Sequence, residues 1–349
     1  MSLPPVAIVH GRVTASAAVD EKDVLVQADA VRSALRALGH RTVDVPLTLD
    51  LEEAAKVLRA QRPLIAFNLA ETIDGRGSMI HLAPMLLDSL GIPYTGAPCE
   101  AILLTSHKLL AKKILHAAGV DTPPWTPAAD SLSAAPAFPP PWIVKSVWEH
   151  ASVGLEDGSV AATHAALADE ISRRTRTERI EHLFVEGYIE GREFNLALLG
   201  GTSDGEPESL PPAEIQFLGY PVGKPKMVGY KAKWDEGSFE YNNTPRRFDF
   251  PPGDDGLIGA LLSVSRKCWK AFELRGYARV DFRVDGPGRP WVLEINTNPC
   301  ISPDAGFMAA AGRAGLSMED VVRRIVAEAT MAAAAAAKCG RTCREENEA

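Results

Sequence analysis

The spacing of apolar positions changes along the chain, from a pattern suited to a layered α/β sheet to one suited to antiparallel strands. Residues 6–9 form a short apolar run, residues 23–38 carry apolar side chains at helical spacing up to Gly39, and residues 42–45 form a second short run. A helix over 51–59 and a strand over 64–69 continue the alternation, which predicts a parallel sheet with helical crossovers. Further helices are predicted over 79–90, ending at Gly91, and as one element over 101–118, ending at Gly119. A first α/β domain is therefore expected over residues 1–100.

The stretch 123–141 is rich in Pro, Ala and Ser and reads as a surface connection before a strand at 142–145. Beyond residue 182 the pattern is strand-rich, with segments at 183–189, 193–199, 213–218 and 227–234, then a helix over 257–274 and a hairpin over 276–299. Helices at 307–314 and 318–336 follow, and the polar end, 341–349, is expected to fray. The remaining divisions are a central domain over 101–185, a C-terminal domain over 186–336 and a polar tail over 337–349. No internal repeat is visible.

The hairpin carries the chemistry. Gly276-Tyr277-Ala278-Arg279-Val280-Asp281-Phe282-Arg283-Val284 and Trp291-Val292-Leu293-Glu294-Ile295-Asn296 alternate apolar and polar residues on either side of the turn Asp285-Gly286-Pro287-Gly288. Arg279, Asp281 and Arg283 share one face. Glu294 and Asn296 share a face of the second strand, with Leu293 and Ile295 on the other, so pairing brings Asp281, Glu294 and Asn296 together. Oxygen donors without neighbouring His or Cys suit a hard cation such as Mg2+. The run Asn296-Thr297-Asn298-Pro299 is too particular for a solvated edge.

Composition narrows the reading. A chain of 349 residues is long for a single core, and two or three domains are expected. A net charge of -8 argues against a nucleic-acid partner. No charged-then-apolar leader and no apolar run of membrane-spanning length is visible, so a cytoplasmic protein without a membrane partner is expected. Five cysteines, at 99, 268, 300, 339 and 343, do not form a disulfide framework, and Cys339 with Cys343 is at most a weak metal pair.

Lys145 ends the strand at 142–145 and precedes Ser146-Val147-Trp148-Glu149-His150-Ala151-Ser152-Val153-Gly154, a loop long enough to fold over a phosphate chain but lacking the glycine spacing of a Walker loop. Tyr94-Thr95-Gly96 and Lys108 stand before it. After it, Glu186 and Glu193 flank Gly187-Tyr188-Ile189-Glu190-Gly191-Arg192, and Lys233 lies in Tyr230-Lys231-Ala232-Lys233-Trp234. In this order, with the hairpin, the motifs resemble those of the ATP-grasp carboxylate–amine ligases, particularly the D-alanine–D-alanine ligase family, over residues 6–330.

The resemblance implies an α/β, ATP-grasp fold in which an N-terminal parallel-sheet domain joins central and C-terminal α+β domains that clamp ATP. It implies that Lys108 and Lys145 hold the nucleotide's phosphates and that Lys233 reaches the terminal one. Glu186 would accept from the adenine amino group, Tyr188 and Ile189 would lie against the adenine, and Glu193 would bind the ribose. Arg279 would stabilise charge at the reacting centre. Asp281, Glu294 and Asn296 would hold Mg2+, as two ions bridged by Glu294 and replaceable by Mn2+. With Ser152 of the loop, Arg279 and Lys233 are the catalytic candidates. A homodimer is implied by the resemblance alone.

The substrate end departs from that family. Ala151 stands where it has a serine, Trp234 where it has a tyrosine, and Ala305 and Gly306 where it has a carboxylate-binding serine and a leucine. Asn68-Leu69-Ala70-Glu71-Thr72 replaces a histidine–glycine pair. Glu21, matched to the family's contact for a substrate amino group, joins Glu71 and Asp304 as substrate candidates, with Arg76 and Arg313 as candidate carboxylate acceptors.

The expected function is an ATP-dependent ligase that joins an amino acid or related acid to an amine through an acylphosphate, releasing ADP and phosphate. Its partners would be small amino-acid-like molecules, and strict D-alanine dimerisation is disfavoured. Two other readings stay open: a divergent D-alanine–D-alanine ligase, and an ATP-binding regulator without turnover. The complete set of basic and acidic residues speaks against the regulator.

Overall fold

The computed structural model describes residues 4–347 other than 150, 151, 153, 203 and 204, without the side chains of 333 and 335–347. The departure noted at Ala151 lies outside the described residues, as do the side chains of Cys339 and Cys343.

Val6-Ala7-Ile8-Val9 is apolar on both faces, and such a strand is stable only when covered on both sides. It forms β1 (Val6–Gly11), the middle strand of a parallel sheet of order β2-β1-β3 with β2 (Thr42–Leu47) and β3 (Ile65–Asn68). Helix α1 (Val19–Ala37) starts four residues before the predicted point, placing Asp20 and Glu21 in its first turn, where acids suit the positive end of the helix. Helix α2 (Leu51–Gln61) is capped by Asp50, which accepts from the Glu53 amide at 3.3 Å. Helix α3 (Leu82–Ser89) follows.

The single helix predicted over 101–118 is two, α4 (Cys99–Ser106) and α5 (Lys108–Ala117). His107 breaks it: its backbone is extended (φ -86°, ψ 94°), and its Nδ1 accepts from the Leu110 amide at 3.3 Å, capping α5. Lys108 therefore sits in the first turn of α5, buried, with Nζ donating to the Glu149 carbonyl at 2.6 Å.

The segment predicted to be plain connection contains β4 (Trp125–Pro127). It pairs with β7 (Leu183–Gly187) in an antiparallel sheet of order β4-β7-β5-β6, with β5 (Trp142–Ser146) and β6 (Val160–Ala161). Helix α6 (His164–Arg174) lays Leu167 and Ile171 against Trp142, Val144 and Val185.

The third sheet has the order β11-β10-β8-β12-β13, with β9 added to β8. Its strands are β8 (Arg192–Leu199), β9 (Glu208–Ser209), β10 (Ala213–Ile215), β11 (Arg246–Arg247), β12 (Tyr277–Val284) and β13 (Pro290–Asn296). The strand predicted over 227–234 is not there. Instead the chain passes Gly229, whose missing Cβ would stand 2.9 Å from the Leu155 carbonyl oxygen, into helix α7 (Tyr230–Trp234), followed by α8 (Phe239–Asn242). Docking against the loop after β5 replaces strand pairing here, and the Tyr230 amide donates to Leu155 O at 3.3 Å.

Helix α9 (Asp255–Ala271) covers one face of this sheet with α4 and α5, burying Ile102, Leu115, Leu261 and Trp269 with Phe194, Val280 and Phe282. Helices α10 (Gly306–Arg313) and α11 (Met318–Asn347) cover the other, and Val321 and Ile325 join Val24, Val31 and Leu35 of α1. Helix α11 runs on through the segment predicted to fray. Among the described residues no helix is long and apolar enough to cross a membrane.

In the β12–β13 hairpin, Arg279 pairs with Asn296 and Asp281 with Glu294, which brings together the residues expected to share a face. The ladder then slips: Phe282 pairs with Val292, and Leu293 is an extra residue forming a β-bulge. The bulge corrects the predicted face of Leu293, which lines the same cavity as Glu294.

Candidate active site

Strands of both antiparallel sheets line a cavity of about 620 Å³, a size suited to a small ligand. Lys108, Lys145, Ser152, Glu186, Tyr188, Ile189, Glu193, Lys233, Arg279, Asp281, Glu294, Asn296, Glu71 and Asp304 all line it. Glu21 does not. Arg76 and Arg313 also lie away from it, paired with Asp74 and Asp249.

At one end, β5 and β7 hold Lys145 and Glu186 in contact. Glu186 also meets Lys112, four residues after Lys108 on α5. Burial alone would push the Glu186 carboxyl up, but the two ammonium groups outweigh it and hold the group below its usual range. Its Oε1 meets Lys112 as an ion pair without hydrogen-bond geometry, leaving an acceptor open. Lys112 itself donates to Thr122 Oγ1 at 2.7 Å and Pro123 O at 3.2 Å. The i, i+4 spacing from Lys108 was the sequence signal for this residue. Tyr188 Oη donates to Lys226 O at 3.0 Å, and Arg283 lies 5.5 Å from its ring centroid. Glu193 faces Arg283 across the β8–β12 pair at 3.1 Å.

At the hairpin, Arg279 grips Asp281 through both nitrogens, at 2.7 and 2.8 Å, and Asn195 donates to the same carboxylate at 2.8 Å. Despite burial, Asp281 keeps the Arg279 guanidinium firmly charged. Glu294 lies 3.6 Å from Lys108 Nζ. Asn296 Oδ1 accepts from the Asn298 amide at 3.0 Å, which fixes the side chain. Two carboxylates and an amide oxygen, paired across adjacent strands, fit a hard divalent cation. Burial pushes the Lys233 and Lys108 ammonium groups down, so negative charge in the cavity would be welcome to both.

At the other end, Asp23 of α1, Glu71 after β3 and Cys300 after β13 line the wall. Gln27 links them: its Nε2 donates to Glu71 at 2.5 Å and its Oε1 accepts from the Ile301 amide at 3.1 Å. Cys300 and Ser302 both donate to Asp23, at 2.9 and 3.0 Å. Burial pushes the Glu71 carboxyl up to about 7. Asp23, Gln27 and Cys300 escaped the sequence reading. Asp23 stands two residues beyond Glu21 on α1 and lines the cavity, which Glu21 does not.

Two chain segments close over the middle. Ser152, at φ 62°, donates to Val228 O at 2.7 Å, and Tyr230 Oη donates to Asp20 Oδ1 at 3.0 Å. Trp234, Ala305 and Gly306 line the cavity nearby.

Residues 127–327 match the family described as D-ala D-ala ligase C-terminus. The chain is 30% identical to an uncharacterized protein, y4sG, of Sinorhizobium fredii, with 86% of each chain covered. It is also 30% identical to the D-alanine–D-alanine ligase of Carboxydothermus hydrogenoformans, covering 85% of this chain and 90% of that one. The crystal structure of D-alanine–D-alanine ligase from Bacillus anthracis complexed with ATP superposes with a TM-score of 0.69 at 21% identity, over 94% of this chain and 98% of that one.

Proposed function

From its membership of the D-alanine–D-alanine ligase family, which makes this chain an ATP-grasp carbon–nitrogen ligase, we propose that it joins a carboxylic acid to an amine of amino-acid type other than by strict D-alanine dimerisation. The observation that carries the proposal is one cavity in which Lys108, Lys145 and Lys233 surround the space beside Asp281, Glu294 and Asn296, while its far wall holds Asp23 and Glu71. Three ammonium groups suit a triphosphate. Lys145 and Lys108 hold its phosphates and Lys233 the terminal one, with Glu186 on the adenine amino group, Tyr188 and Ile189 against the ring and Glu193 on the ribose. Asp281, Glu294 and Asn296 would hold Mg2+, which would supply charge neutralisation among the phosphate oxygens.

A carboxylate resists attack by an amine because its oxygen is a poor leaving group. A substrate carboxylate oxygen therefore attacks the γ-phosphorus as the bond to ADP breaks, giving an acylphosphate, with Lys233 and Arg279 balancing the spreading charge. The amine nitrogen then attacks the acyl carbon, phosphate leaves, and the proton from nitrogen passes to Glu71. Ser152 and Tyr230, holding the two covering segments, exclude water from an intermediate that it would destroy.

The departure from D-alanine dimerisation is supported by Ala305, which presents a methyl group to the cavity where a hydroxyl would bind a carboxylate. Loss of one such hydrogen bond in a closed site costs about 1–3 kcal/mol. The test is release of ADP and phosphate by the purified protein with Mg2+, ATP and a broad panel of acids and amines, with products read by mass spectrometry. No release above background overturns the ligase proposal. D-alanyl-D-alanine as the sole product restores the divergent D-alanine–D-alanine ligase reading.

A further inference from the structure

Arg246 and Arg247 are consecutive residues of β11 and point to opposite faces. Arg247 pairs with Ile215's neighbour Glu214, which also accepts from Arg192 Nε and Nη2 while Asp254 accepts from Arg192 Nη1 and Nη2, so that face of the edge is neutralised. Arg246 pairs in register with Ile215, and both line the cavity. No carboxylate lies within ion-pair distance of Arg246 among the described residues. Its side-chain hydrogen bond goes to a neutral acceptor, the Asp304 carbonyl, at 3.2 Å. The guanidinium lies against Gly306, where a Cβ would meet its Nε at 3.4 Å, and Ala305 and Ala309 beside it leave the space in front open. Arg246 is exposed at the cavity rim, where partial desolvation and the nearby Arg279 work against its charge and the more distant Asp304 carboxylate favours it.

A guanidinium at the rim of a cavity, with no carboxylate within ion-pair distance among the described residues, is a planar, two-pronged carboxylate receptor. Arg279 is already gripped by Asp281, whereas Arg246 bonds only a carbonyl, so Arg246 is the open receptor for a carboxylate other than the one phosphorylated beside Arg279 and Lys233. We infer that Arg246 holds a second, unreacting carboxylate of the substrate pair, which makes the ligated product an acid. The inference rests on the ligase reading above. The retained group belongs either to the amine donor, then an amino acid, or to the activated acid, then a dicarboxylate.

The test is titration of the full-length protein, loaded with Mg2+ and a non-hydrolysable ATP analogue, with D- and L-amino acids and dicarboxylic acids, each beside its mono-amide. The wild type is expected to favour at least one free acid over its amide by about 10- to 100-fold, and Arg246→Met to erase that preference while nucleotide affinity stays unchanged. Arg246→Lys is expected to keep part of it. Which ligand series shows the effect assigns the retained carboxylate to the amine donor or to the acid. The inference is overturned if no acid is preferred to its amide, if Arg246→Met leaves the preference intact, or if the variant loses nucleotide instead. Turnover separates the two readings. ADP release with simple amines and monocarboxylates alone keeps the ligase and removes this role. An Arg246-dependent preference without any ADP release does the reverse.

Discussion

Tyr230 of helix α7 donates a 3.0 Å hydrogen bond to Asp20 in the first turn of α1, tying the segment that carries Lys233 to the first domain. A neutral donor on a carboxylate contributes about 1.5–3 kcal/mol to the closed arrangement. Tyr230→Phe is expected to raise the KM for substrates about 10-fold and to increase ADP released without ligated product, as water reaches the acylphosphate. Equal coupling of ADP to product in variant and wild type would remove the latch from the mechanism.

Glu294 and Asp281 face each other across the hairpin. Glu294→Gln keeps the shape and removes one charge from the proposed metal site, so turnover is expected to fall below detection while ATP binding weakens but stays measurable by titration. The same variant should need far more Mg2+ for any residual binding. Full activity in Glu294→Gln would show that the metal is held elsewhere.

Glu71 is pushed up to about 7 chiefly by burial, with Asp23 adding to the rise and the Gln27 hydrogen bond, Arg279 and Lys233 working against it, while Tyr277 and Cys300 also face it. A proton acceptor must be ionised, so kcat/KM is expected to rise with pH through about 7. Glu71→Gln should lose that limb and about 100-fold in rate or more. Stability runs the opposite way. The folded group binds its proton more tightly than the unfolded one, so its contribution is full below the ordinary range near 4.5 and is lost as pH rises through about 7. Melting curves of Glu71→Gln should therefore gain on the wild type as pH goes from 5 to 8, toward about 3 kcal/mol at most.

Lys112 shares Glu186 with Lys145, and Lys112 and Glu186 are buried while Lys145 is half-buried. Lys112→Met leaves Glu186 with one counter-charge, and breaking a buried pair of this kind costs about 3–5 kcal/mol. A lower Tm and weaker Mg·ATP binding are expected together, because Lys145 is then held back by Glu186. A lower Tm with unaltered nucleotide affinity would limit Lys112 to a structural role.

Much of the fold and the hairpin was legible because period-2 alternation, turn residues and apolar runs are local signals. That Asp281, Glu294 and Asn296 could meet on one face follows from alternation, while the register that sets Asp281 opposite Glu294 does not. What stayed hidden depends on distant contacts. His107 breaks a helix that local propensity would continue, because its extended backbone lets the Lys108 amide reach Val147 O at 3.0 Å. Residues 227–234 alternate like a strand, yet the surface they meet is the loop at Leu155. Asp23, Cys300 and Arg246 carry no motif and become neighbours of one cavity only when α1, β11 and the end of β13 are brought together.

The bulge in the hairpin sets sheet and cleft apart as separable properties. Asp281 opposes Glu294 and Phe282 opposes Val292, so every ladder partner survives on paper if Leu293 is removed. Such a deletion would yield a straighter ribbon with the same two acids side by side and a wider, less apolar hollow beneath them. One residue in 349 thus bends a strand and shapes the guest's berth without changing which residues pair across the ladder.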